Sequence, residues 1–141
     1  MNRRSRRRRR GFTLMEILLV LAILVVLGSM VTVGYVQIQK DANIKAARSQ
    51  ISLLEDAVNL YQLNVGTCPS TQQGLEALLA MPPDLPVPQK WTGPYLNKRE
   101  LPFDPWNQPY NYEQLDASQF RIWSNGPNSV PGDEDDISTT L

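Results

Sequence analysis

The chain has 141 residues, 14 Lys+Arg against 14 Asp+Glu, one cysteine and no histidine. Lacking histidine, it lacks the commonest general base and the commonest zinc ligand; one cysteine, Cys68, excludes an intramolecular disulfide and is expected to lie buried as a small hydrophobe. Seven of the basic residues, Arg3, Arg4 and Arg6 to Arg10, precede Gly11, so the remainder carries seven basic and fourteen acidic residues, a net charge of −7 that argues against nucleic acid as a partner.

The basic leader runs into Gly11-Phe12-Thr13-Leu14-Met15-Glu16 and then an uncharged apolar stretch of twenty residues, Ile17 to Val36. At about 1.5 Å per residue this stretch spans roughly 30 Å, the thickness of a bilayer core. A cleavable secretory signal has a shorter core, of about 7–15 residues, followed by a small-residue cleavage site; this run is longer and ends in Gly34-Tyr35-Val36-Gln37. A plain signal anchor explains the basic flank and places the rest of the chain outside the cytoplasm. It does not explain Glu16, a carboxylate at the mouth of the apolar run, and intramembrane carboxylates are functional by default.

From Gln37 the sequence turns amphipathic without a proline or glycine up to Leu63. Ile44, Ala47, Ile51, Leu54, Val58 and Tyr61 recur at spacings of three and four, which lines one face of a helix. One helix of roughly fifty residues is therefore predicted from Phe12 to about Leu63, stopped by Asn64-Val65-Gly66. Within it Gly28 and Gly34 cost about 1 kcal/mol each relative to alanine and are ordinary for a membrane helix. Ser70-Thr71-Gln72-Gln73 reads as a capping box for a short helix from Thr71 to Met81, ended by Pro82-Pro83.

Residues 82–89 hold four prolines and are expected to be an extended loop, with a further turn at Pro94. Two strands are predicted, Pro109 to Leu115 and Gln119 to Ser124, joined by a turn at Asp116-Ala117-Ser118. Trp106, Tyr110, Tyr112, Phe120 and Trp123 are expected to pack this sheet on the helix in preference to forming a sugar-binding platform. In the tail, Asp133 to Asp136 are four successive acids. They suit a solvated turn or a hard cation with oxygen ligands, although the spacing is not that of an EF-hand.

The arginine-rich leader with Gly11, Phe12 and Glu16 resembles the class III signal of the type IV pilin and pseudopilin superfamily. Cys68-Pro69-Ser70-Thr71-Gln72-Gln73-Gly74-Leu75-Glu76-Ala77-Leu78, Leu101-Pro102-Phe103-Asp104-Pro105-Trp106 and the acidic tail ending in Ile137 resemble three motifs of the major pseudopilin family of type II secretion. Cys68 stands where that family has an aromatic, Asn107 where it has glycine, Asn128 where it has aspartate, and Asp133 where it has threonine.

The resemblance implies a pilin-like α+β fold, a long N-terminal helix packed on a short helix and a small antiparallel sheet. It divides the chain into a leader, 1–11, a membrane and assembly helix, 12–36, and a periplasmic domain, 37–141. It implies cleavage after Gly11 by a prepilin peptidase, N-methylation of Phe12, and an assembly role for Glu16, the fifth mature residue. It implies calcium held by the side chains of Asn128, Asp135 and Asp136 and the carbonyls of Asn125 and Val130, more weakly than with three aspartates.

The function so implied is non-enzymatic. Subunits anchored once in the inner membrane would stack into a periplasmic pseudopilus, with minor pseudopilins and an inner-membrane platform, and drive folded proteins across the outer membrane. The alternatives are a type IV pilin or DNA-uptake pseudopilin and, in another class, a membrane-tethered metal-dependent hydrolase using Asp104 and the acids at 133–136.

Overall fold

A computed structural model describes residues 11–138 and, within the first helix, leaves the side chains of residues 30–34 undescribed. The chain divides into two units, Met1–Lys40 and Asp41–Leu141. Helix α1, Leu14–Val65, supplies the described helical residues of the first unit and leads the second.

In the first unit the helix starts at Leu14, two residues later than the sequence predicts, because Thr13 is its cap. The Thr13 hydroxyl accepts the Glu16 N–H at 3.2 Å, and the Thr13 carbonyl accepts Glu16 and Ile17 N–H groups at 3.1 and 3.3 Å. This satisfies backbone donors that every helix start leaves open. Apolar side chains beyond it are exposed all round, from 78% at Met15 to 49% at Ile23. A helix apolar on every side is built to be surrounded by lipid or by other helices. Among the described residues no helix is long and apolar enough to cross a membrane; the predicted run Ile17 to Val36 includes residues 30–34, outside that description.

The second unit is organised on the outer half of α1. Ala47, Ile51, Leu54, Val58 and Tyr61 are at most 1% exposed, as their spacing predicts, and Ala57 joins them. The helix ends at Gly66, whose φ of 101° suits a residue without Cβ and whose N–H bonds the Gln62 carbonyl at 2.8 Å.

Residues 71–81 do not form the predicted α-helix. The reciprocal cap is present, Ser70 N–H donating to Gln73 Oε1 at 3.0 Å and Gln73 N–H to Ser70 Oγ at 3.2 Å. One turn later Gly74 adopts φ 60°, ψ −162°, and the chain continues only as a 3-10 turn, Leu75–Leu78. That redirection sends Leu75, Ala77 and Leu78 into the core. The indole N–H of Trp91 donates to the Ala77 carbonyl at 3.0 Å, fastening the following loop to this turn. That loop, predicted as extended, contains a second short 3-10 turn, Pro88–Lys90.

The predicted strands are present but shorter: β1, Asn111–Gln114, and β2, Phe120–Ser124, pair antiparallel with Tyr112 opposite Ile122. A third strand that the sequence does not announce, β3, Ile137–Ser138, pairs with β2 and completes the order β1-β2-β3. Along β2, Ile122 and Ser124 are buried while Arg121 points out, its guanidinium 4.9 Å from the Trp123 ring centre. The turn between β1 and β2 is held by Asp116, whose Oδ1 accepts the Ser118 and Gln119 N–H groups at 2.7 Å each. Those bonds hold its carboxyl below the usual carboxylate range.

This hairpin is sewn to the segment that follows α1. Tyr112 OH donates to the Pro69 carbonyl at 2.7 Å, and the Cys68 N–H to the Ala117 carbonyl at 3.0 Å. Cys68 is buried, as expected, with its thiol 3.2 Å from the Asp116 carbonyl oxygen and 3.5 Å from that of Ala117.

Candidate functional site

Two stretches carry the expected functional residues, one in each unit. In the first, Gly11, Phe12 and Thr13 precede the helix, and a Cβ added at Gly11 would meet nothing within 4 Å. Phe12 is 80% exposed. The site of expected cleavage is therefore an accessible, non-helical segment, a form in which a peptidase can take the backbone. Glu16 is exposed in the first turn of α1, where the uncompensated N–H groups favour a negative charge. Residues 1–10 of the leader lie outside the described residues.

In the second unit, residues 125–136 form a loop whose two feet are β2 and β3, with Ser124 opposite Ile137. Gly126 has φ 68°, and a Cβ there would collide with the Asp135 carbonyl, so glycine lets the two arms close on each other. Its N–H donates to Ser124 Oγ at 3.1 Å, and the Ser124 hydroxyl donates to Asp104 Oδ2 at 2.5 Å. Asp104 is only 5% exposed, and its other oxygen accepts the Trp106 and Gln108 N–H groups at 3.0 and 2.7 Å. Both carboxylate oxygens thus hold turns together.

Asp104 and Ser124 were missed as determinants of the tail. The signal for Asp104 was present, since aspartate before proline starts a turn and its side chain bonds the N–H two residues on. Asn107 has φ 64°, the left-handed conformation that asparagine tolerates better than most residues.

At the loop tip Asn128 Oδ1 accepts the Val130 N–H at 2.9 Å, while Asn128 Nδ2 donates to Asp133 Oδ2 at 2.6 Å and Asp135 Oδ2 at 3.1 Å. Asp136 Oδ2 accepts the Gly132 N–H at 2.9 Å. Asn125 Oδ1 accepts Asn111 Nδ2 at 2.8 Å, tying the loop to β1. Of the expected calcium ligands, the structure brings Asn128 and Asp135 together and directs Asp136 to Gly132. Asp133, outside the ligand set that the resemblance implies, is the closer partner of Asn128.

The fit to a cation can be read from these atoms. Asp136 Oδ1 is a buried oxygen with no hydrogen-bond partner, the one feature of the loop that invites an ion. Against it, Asn128 turns an N–H, not an oxygen, toward the carboxylates, and among the described residues no three His, Cys, Asp or Glu side chains converge. Calcium takes six to eight oxygens. As folded, the donor set does not fit.

The prokaryotic N-terminal methylation motif matches residues 6–32, and the profile of type II secretion system (T2SS), protein G matches residues 34–140. The chain belongs to the type II secretion system protein G family. Among protein G relatives, the type II secretion system core protein G of Pectobacterium carotovorum subsp. carotovorum is 41% identical over 134 residues, covering 92% of this chain and 83% of the relative. The core protein G of Aeromonas hydrophila is 38% identical over 137 residues, covering 94% and 93%.

The protein G fold is matched by the crystal structure of the major pseudopilin from the type 2 secretion system of enterohaemorrhagic Escherichia coli. It has a TM-score of 0.63 and 34% identity, over 72% of this chain and 85% of that one. As a member of the protein G family the chain is a structural pseudopilin with a pilin-like α+β fold and not an enzyme. This sets aside the hydrolase reading of Asp104 and the acids at 133–136.

Proposed function

We propose that the protein is the repeating subunit of a pseudopilus that works in type II secretion. It is anchored by one pass of its N-terminal helix in the inner membrane, with its second unit in the periplasm. A prepilin peptidase cuts after Gly11, and Phe12 is methylated. Mature subunits then stack their apolar helices into a filament that, with minor pseudopilins and the secretion platform, moves folded proteins outward. The observation that carries this reading is the succession, in one chain, of the methylation motif over residues 6–32 and the protein G profile over 34–140. The exposed apolar surface of α1 supports it, since that surface has no use in a subunit standing alone.

Glu16 is the residue on which assembly turns. A carboxylate at the centre of a membrane helix costs about 2.5–3.5 kcal/mol, and less near its end. Once neighbouring helices stagger by one turn, the new amine of Phe12 in the next subunit lies at the same depth and can pair with it.

In cells that carry the peptidase, Glu16→Ala is expected to leave insertion and processing intact and to abolish filaments and secretion. Mass spectrometry of the variant from membranes should show a chain beginning at methylated Phe12, while secreted protein disappears from the medium. Normal secretion by the variant removes the role of Glu16, and a chain that retains its leader arginines in both forms removes the processing.

A further inference from the structure

Asn128 has a single side-chain oxygen, which accepts the Val130 N–H at 2.9 Å. The orientation of the amide follows from its partners. Turned over, it would set its NH2 against the Val130 N–H and its oxygen against the carboxylates of Asp133 and Asp135, and ionised carboxylates only accept. As it stands, the NH2 donates to Asp133 at 2.6 Å and Asp135 at 3.1 Å. An aspartate at this position would have two oxygens. One would keep the Val130 N–H and the other would face Asp133 and Asp135, so that three carboxylates met and a cation was needed between them.

We infer that the Asn128 amide takes the place of the cation: its two N–H groups close the acidic loop, and the tail of this chain folds without calcium. The rest of the loop agrees except at Asp136 Oδ1, which is buried without a partner among the described residues. Its feet are fixed by the pairing of β2 with β3 and by the Asp104–Ser124–Gly126 chain of hydrogen bonds. Asp133 Oδ1 accepts the Asp135 N–H at 3.0 Å and Asp136 Oδ2 the Gly132 N–H. Hydrogen bonds to ionised acceptors are roughly twice as strong as neutral ones, which suits a neutral donor to this charged setting. The inference does not depend on filament assembly, because it concerns the fold of one subunit.

The test is thermal unfolding of the full chain in detergent, followed by tryptophan fluorescence, with about 1 mM calcium chloride or with EDTA. All three tryptophans, Trp91, Trp106 and Trp123, lie in the second unit and report its melting. The unaltered protein is expected to melt at the same temperature, within about 1 °C, in both solutions. Asn128→Asp should melt lower than the unaltered protein in EDTA and rise by roughly 5 °C or more with calcium, as ligand linkage in a domain of about a hundred residues gives. Asn128→Ala should melt lower in both. Magnesium chloride at the same concentration controls for ionic strength. A calcium-induced rise in the unaltered protein comparable with that of Asn128→Asp overturns the inference, as does an Asn128→Asp variant indifferent to calcium or an Asn128→Ala variant that melts as the unaltered protein does.

Discussion

At the scale of single residues, Tyr110 is the side chain whose placement is least comfortable. It is 8% exposed and its hydroxyl is buried with no hydrogen-bond partner among the described residues. Burial first, and the nearby Asp104 carboxylate second, push its pKa up from 10.0 to about 12. A raised pKa on an acid that is neutral when protonated means that the fold favours the protonated form. Its contribution to stability is whole below pH 10 and is lost as pH rises from 10 through about 12. Tyr110→Phe keeps the ring and removes the unpaired hydroxyl. Urea unfolding at pH 7 should show it equal in stability or better by roughly 1 kcal/mol, with a shallower loss between pH 10 and 12 than the unaltered protein. A variant that is less stable at pH 7 would show that the hydroxyl does have a partner in solution.

At the scale of elements, what the sequence disclosed was what depends on near neighbours. The buried face of α1 was legible because 3.6-residue periodicity repeats over five turns, and Ile51, Leu54 and Val58 could not all face solvent together. The Ser70–Gln73 cap was legible for the same reason. The helix expected beyond it was not there, because a glycine does not announce whether its freedom will be used, and Gly74 uses it. Strand β3 was hidden because two residues have no period and its partner lies thirteen positions back, Ile137 opposite Ser124.

The tail shows the same division: its residue types were plain, but which end of the Asn128 amide faces the acids is decided by the Val130 N–H. Gly74 offers the check on this account. Its φ 60°, ψ −162° belongs to a region that is essentially glycine's alone, and an added Cβ would come within 2.6 Å of the Glu76 carboxylate. Gly74→Ala should destabilise the domain by about 1–3 kcal/mol in denaturant titration. A neutral outcome would mean that the turn readily takes another conformation.

At the scale of the whole molecule, the second unit is held by contacts between segments far apart in the chain, and Cys68 sits at one of these seams. Its sulfur lies against carbonyls of the Asp116–Gln119 turn, about fifty positions later in sequence. A reagent can reach this sulfur only when the hairpin lifts away from the segment after α1. The rate at which a maleimide captures it is thus a clock for that opening, separate from global melting. In the folded protein capture is expected to be slower than in urea by orders of magnitude, and to quicken when Tyr112→Phe deletes the bond to Pro69. Capture at the free-thiol rate would mean the seam stands open. The buried thiol of Cys68 thereby gives this protein a built-in reporter of how often its sheet detaches.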